Sequence, residues 1–352
     1  MIDIDTDIDQ SWMVPKEGFK VEEEEEENDS VNFGKTCVDR LVSGVGEEIM
    51  LPLLSQLVQA TLANTDDWRY KNAGLMALSQ VGEYIDDIQK IAPMIPVVVQ
   101  HLQHPVAKVR YSALHCLGQI ADDMTEEFQE NFHESVLPAL ITMLNDPVPR
   151  VQAHACAALT NFFEGTPEEV AAQYIQSAMP KISELIQNGI SIIKENAVTA
   201  LASLAEAAKT SFEPFFDQCI QYLCSFLPKF TEPCYKQFKG QVIESITIVS
   251  ASAGLDKFRV HAPLVIGAML EIQNKQLDSK DPQKTYLLSA WQRICLLMKR
   301  EFTPYLSQVL PSLFQLATLN PEMRFQGETK TWDLVDVLHE VKPDPTSEDK
   351  RT

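Results

Sequence analysis

From Gly34 to about Val341, apolar residues recur at spacings of three and four through stretches of 11–18 residues, with polar breaks between them. That is the period of amphipathic helices, and the alternation of strands is nearly absent, so the pattern predicts an all-α body. The helices also repeat. Tyr70–Val81, Val109–Ile120 and Val151–Phe162 can be superposed residue for residue, and a fourth copy runs from Ile193 through Ala197 and Leu201 to Leu204. Equivalent apolar positions fall at Tyr70, Val109, Val151, Ile193, Phe238 and Tyr286, separated by 39, 42, 42, 45 and 48 residues. Small residues follow four positions later at Gly74, Ala113, Ala155 and Ala197, where they let neighbouring helices approach closely.

Each such helix follows another that carries a proline after an apolar residue: Pro52, Pro96, Pro138, Pro180 and Pro311, with Pro263 a looser member. Proline removes one backbone hydrogen bond and bends a helix. Asn145-Asp146-Pro147, His104-Pro105, Asn188-Gly189 and Asp281-Pro282 supply turns between the two helices of a pair. A bent helix, a tight turn and a straight helix at a period near 42 describe an α-solenoid of HEAT or armadillo type. The expected organisation is an acidic disordered linker over residues 1–33, about six full repeats with partial ones at each end over 34–320, and a loop and short tail over 321–352.

Charge narrows the range of partners. The chain has 352 residues, 29 Lys plus Arg and 50 Asp plus Glu, for a net charge of −21. Residues 1–30 alone hold 12 acids against 2 bases, including Glu22–Glu27 and the alternating Asp3, Asp5, Asp7 and Asp9. Such a surface repels nucleic acid and anionic membranes and favours a basic partner. Glu22–Glu27 reads first as a solubilising linker and second as an internal mimic competing with a basic ligand. The seven cysteines are scattered without a CxxC, which favours reduced thiols. The N-terminus lacks the layout of a signal peptide, and no stretch is long and apolar enough to span a bilayer, so the expected protein is soluble and intracellular.

The most informative constellation lies 13 residues beyond each equivalent position: Glu83, Asp122, Glu164 and Glu206. Three residues before each stand Gln80, Gln119, Asn161 and Ser203. Residues i and i+3 share a helix face, so each repeat offers an amide or hydroxyl and, one turn later, an acid. One acid at a helix end is ordinary solvated surface; four in register form a ladder suited to a lysine-rich segment. Ala251 and Lys299 take the later equivalents, and the ladder stops. Trp291 would stack on a cation or, more commonly for its type, fill the core. His154 reads as an inter-repeat or surface histidine, and Cys116 and Cys156 as buried thiols.

Motifs of catalysis and metal binding fail. His101-x-x-His104 has no third ligand nearby. Gly34-Lys35-Thr36 lacks the upstream glycine of a phosphate loop, the Asp3–Asp9 alternation lacks the glycine and terminal glutamate of a calcium loop, and Ser191–Lys194 matches a nucleophile spacing only by chance. No enzyme activity, cofactor or metal is expected.

Asp67–Glu83, Val109–Asp123, Arg150–Gly165 and Leu288–Phe302, in that order, resemble the importin-beta family, and within it the karyopherin-beta-3 type. The likeness spans about residues 35–320. It implies HEAT repeats whose second helices line a concave surface for nuclear localisation segments of cargo, with apolar grooves between first helices for Phe-Gly repeats of nucleoporins. It also implies shuttling between cytoplasm and nucleus. On this likeness the chain would be a central portion of a longer array, with Thr36–Val45 a second helix lacking its partner. Ran binding, which the family places in N-terminal repeats, is then in doubt. The rival expectation is a HEAT scaffold holding folded partners at its turns, as in phosphatase scaffolds or chromosome-organising subunits.

Overall fold

The computed structural model describes residues 10–16, 29–64, 67–229, 235–275 and 281–317. Glu22–Glu27, Asp3–Asp9 and the 321–352 tail lie outside the described residues. The chain divides into two compact units, Met1–Lys299 and Arg300–Thr352. Among the described residues every regular element is helical.

In the first unit a short helix, α1 (Gln10–Met13), precedes α2 (Asp29–Val45) and six helix pairs. The pairs are α3 (Glu47–Ala63) with α4 (Trp68–Leu78), α5 (Ile95–His101) with α6 (Ala107–Asp123), and α7 (Glu127–Met143) with α8 (Pro149–Glu164). They continue with α9 (Glu168–Asn188) and α10 (Ser191–Ala208), α11 (Phe216–Cys224) and α12 (Lys236–Ala253), and α13 (Leu255–Gln273) and α14 (Gln283–Met298). The second unit contains α15 (Leu306–Ala317). The helix expected to open near Thr36 starts at Asp29, inside the segment read as linker, and Gln10–Met13 is helical rather than disordered.

Proline sits inside α3, α7, α9, α13 and α15, and in α7 and α9 it falls 13 residues before the equivalent position of the second helix. In the second pair the first helix breaks outright. Three 3-10 turns between Gly82 and Met94 lead into α5, where Pro96 occupies the first turn.

The even-numbered second helices stack on one another more densely than the first helices do. Small residues allow it: a Cβ on Gly118 of α6 would stand 3.1 Å from Ala158 Cα of α8, and one on Gly240 of α12 would enter the Tyr286 ring of α14. The buried layer between is Leu, Ile, Val, Ala and Phe, including Phe128, Phe162, Phe212, Phe238 and Phe258, each at most 1% exposed. Trp291 belongs to this core, which removes it as a stacking platform for a ligand.

Charged turns tie the stack together. Asp146, in the turn between α7 and α8, accepts from Val148 N–H and receives Arg110 of α6 in a two-pronged pair at 2.6 and 2.8 Å. Asp281, between α13 and α14, accepts from Gln283 N–H and holds Lys236 of α12 at 2.6 Å. Within the first unit the chain reverses between repeats through residues with positive φ: Gly46, Glu126, Lys209 and Gly254.

Candidate functional site

Asp122, Glu164 and Glu206 project from the last turns of α6, α8 and α10, and all three are exposed. Glu164 is the central rung. Partial burial and then the charges of Asp122 and Glu206 hold its carboxyl above the usual range. Three acids from successive repeats therefore share one electrostatic neighbourhood.

The fourth expected rung is built differently. Helix α4 ends at Leu78, where the Ser79 hydroxyl donates back to the Met76 carbonyl, so Gln80 and Glu83 are not on it. Glu83 lies in the 3-10 turn Gly82–Tyr84 and is exposed. It still reaches the ladder, because its backbone N–H serves Asp123, whose carboxyl is raised by burial and by the charges of Asp122 and Glu83. Asp123, absent from the register arithmetic, thus joins the first rung to the second. Gly82 makes room for it: a Cβ there would stand 2.5 Å from Asp123 Oδ2.

The amides do not stand free above the acids. Gln119 Nε2 donates to Asp123 Oδ1 at 2.7 Å, Asn161 Nδ2 donates across the helix gap to the Gly118 carbonyl at 3.1 Å, and Gln80 Nε2 donates to Ser79 Oγ at 3.0 Å. Ser203 is buried. Each of these amides thus uses a donor inside the solenoid, where it positions acids and helices.

First helices contribute as well. Glu126, Glu130, Glu168, Glu164 and Glu206 line one groove at the ends of α8 and α10, with Lys209 at its rim. Acids in the first turn of α7 and α9 suit the positive end of a helix and gave no separate signal in the sequence.

The ladder acids sit at the opposite, negative ends of α6, α8 and α10, where a carboxylate is disfavoured by about 0.3–1 kcal/mol. The other ends of α6 and α8 are inverted too, with Lys108 and Arg150 in their first turns. Along α6 the residues Lys108, Tyr111, His115, Gln119 and Asp122 follow one face, as do Arg150, His154, Asn161 and Glu164 along α8. These faces therefore run from a basic, aromatic edge at Lys108 and Arg150 to an acidic one about 21 Å away at 1.5 Å per residue.

At the basic edge, Tyr111 and His154 stack at 4.0 Å between ring centroids, and His115 stacks on His154 at 5.5 Å. Burial and the charge of Lys35 lower His115 to about 4; burial, His115 and nearby cations hold His154 well below its ordinary value.

The remaining candidates are structural. Cys116 and Cys156 are fully buried, and burial pushes both thiols up. His101 Nδ1 contacts the Val97 carbonyl, and His104 Nδ1 accepts from Val106 N–H. No group of three or more His, Cys, Asp or Glu among the described residues could hold a metal. Lys194 reaches carbonyls at the end of α9, and Gly34-Lys35-Thr36 lies within α2. Among the described residues no helix is long and apolar enough to cross a membrane.

A family model described as importin subunit beta-1-like TPR repeats matches residues 146–343, more than half of the chain. The chain belongs to the importin-beta family. A second model, of HEAT repeats like those of the stalled ribosome sensor GCN1, matches residues 47–189. Among members of the importin-beta family, importin subunit beta-3 of Saccharomyces cerevisiae is 29% identical over 96% of this chain and 31% of its own length. The chain thus spans about a third of that relative. The crystal structure of Kap121p bound to Pho4p superposes with a TM-score of 0.81 at 28% identity, covering 92% of this chain and 31% of that one. A Kap121p variant with two aspartates and one glutamate changed to lysine superposes with a TM-score of 0.80 at 28% identity, over 89% and 30%. Its three altered acids are spaced about one HEAT repeat apart.

Proposed function

We propose that this chain is the cargo-binding part of a nuclear transport receptor, and that Glu83, Asp122, Asp123, Glu164 and Glu206 receive the ammonium groups of a lysine-rich localisation segment. The observation that carries the reading is the central rung: Glu164 shares its surroundings with Asp122 and Glu206, acids one repeat away on either side. Gln119 and Asn161 set the geometry, the first by holding Asp123 and the second by tying α8 to α6. The relatives support the reading, since Kap121p is solved with Pho4p bound and with three repeat-spaced acids reversed to lysine.

The chemistry is binding without catalysis. A lysine-rich strand would lay successive side chains on successive rungs, about 8–10 Å apart, the spacing of packed helices. Each exposed pair contributes roughly 0.2–1 kcal/mol, and several in register on one peptide add to useful affinity. A receptor of this kind moves between cytoplasm and nucleus. Its passage would use apolar grooves on the first-helix side, such as the one between α9 and α11 lined by Met179, Pro180, Phe215, Cys219 and Tyr222, as seats for nucleoporin phenylalanines.

The test is fluorescence anisotropy of a labelled lysine-rich peptide against the wild type and the triple variant Asp122→Lys, Glu164→Lys, Glu206→Lys, across a salt series. Micromolar, salt-sensitive binding weakened at least tenfold in the variant is the expected result. Binding indifferent to the three reversals would eliminate the ladder and favour a scaffold that grips folded partners at its turns.

A further inference from the structure

Trp12 lies in the acid-rich N-terminal segment, after Asp3, Asp5, Asp7 and Asp9 in the sequence. That segment reads as solvated linker, yet α1 packs on α8. The indole meets Tyr111 edge-on at 5.5 Å between centroids. Lys108 Nζ stands 5.4 Å from the ring centroid and Arg150 Cζ 5.1 Å, so the indole has a cation from each of two successive repeats. Pro15, three residues on, is buried. Arg150 is 4% exposed, and His154 stacks on Tyr111.

We propose that Lys108, Tyr111, Arg150 and His154 form a binding cleft for an indole carried on an acidic segment, and that Trp12 is its tethered ligand. The chemistry matches on both counts. Cations seek the face of an indole more than that of any other side chain, and the edge-to-face contact with Tyr111 adds shape. The four aspartates that precede Trp12 in the sequence carry the charge opposite to that of Lys108 and Arg150, the cations set against the helix dipoles at this edge. The cleft lies on the same helix faces as the acid ladder, at their opposite ends, and so recognises the opposite charge.

A ligand tied to its own site acts at an effective concentration in the millimolar range. It therefore shields the cleft from ligands of the same class carried by other molecules. The site can be tested without any basic peptide. A labelled peptide with the sequence of residues 5–16 is titrated with the full-length chain, as wild type, as Trp12→Ala, and as Trp12→Ala with Lys108→Glu. Trp12→Ala should bind the peptide about tenfold more tightly than the wild type, whose cleft is filled. The double variant should lose that gain, and the same peptide with alanine for tryptophan should bind none of the three. Equal binding by wild type and Trp12→Ala, or equal binding of the alanine peptide, would overturn the proposal. A chain that took the tryptophan peptide in this pattern but no lysine-rich peptide would keep the cleft and lose the ladder.

Discussion

Replacing Glu164 by glutamine should make the protein more stable and a poorer receptor. The side chain keeps its size and loses only its charge. Its neighbours Asp122 and Glu206 are one helix spacing away, about 9 Å. At that distance each repulsion is about 0.5 kcal/mol in water, and physiological salt with its ~8 Å Debye length reduces it to about 0.15 kcal/mol. The unfavourable end of the α8 dipole adds roughly 0.3–1 kcal/mol. The sum is a gain of about 0.6–1.3 kcal/mol, which for a unit of this size raises the midpoint of thermal unfolding by about 1–4 °C. Melting curves at about 10 mM and 1 M salt separate the causes, since the gain should grow in the first and shrink in the second. Affinity for a lysine-rich peptide should fall up to about fivefold, the loss of one exposed ion pair. A glutamine variant less stable than the wild type, or a gain blind to salt, would refute the reasoning.

Other positions give equally direct outcomes. Asp146→Ala leaves Arg110 without its partner in a pair whose side chains are 3% and 11% exposed, and should cost about 3–5 kcal/mol in denaturant unfolding. Lys209 holds φ 42° and ψ −116°, a conformation that glycine adopts without strain, so Lys209→Gly should stabilise by about 1 kcal/mol in the same assay. His115 titrates near 4 in the folded chain and near 6.5 when unfolded. The unfolded state therefore takes up the proton first as pH falls, and stability should drop between pH 6.5 and 4 by up to about 3 kcal/mol. His115→Gln should flatten that drop in melts between pH 7 and 5. Asp123 and Glu164, whose folded values are raised, act in the opposite sense: the repulsion they carry is relieved as pH falls through those values.

The repeat architecture was legible because its causes are local and periodic. Glycine or alanine four positions into successive second helices recurs at the period itself, and most first helices carry a proline. Asp122, Glu164 and Glu206 were legible for the same reason. Register arithmetic failed where its assumption of an unbroken helix failed. A 13-residue offset from Tyr70 runs off the end of α4 at Leu78, which moves Glu83 onto a turn and hides Asp123 behind it. Glu130 and Glu168 come from first helices, and Glu126 from the reversal before α7, which counting along second helices cannot reach. Trp12 was invisible because its contacts with α6 and α8 follow no period; a lone tryptophan in an acidic run was the available signal.

The dense stacking of the second helices has a mechanical consequence. In a bent beam the tightly packed, poorly compressible side fixes its own length, and flexing is taken up by the looser side. Within the first unit, the layer where Gly118 meets Ala158 and Gly240 meets Tyr286 plays the part of the neutral surface. Changes in curvature would open or close the gaps between first helices while hardly altering the distance from Asp122 to Glu164 to Glu206. On the function proposed above, the acids would then act as a ruler on the face that keeps its length. A peptide whose lysines match its divisions would fit in every state of flexure, whereas ligands seated between first helices would feel each one.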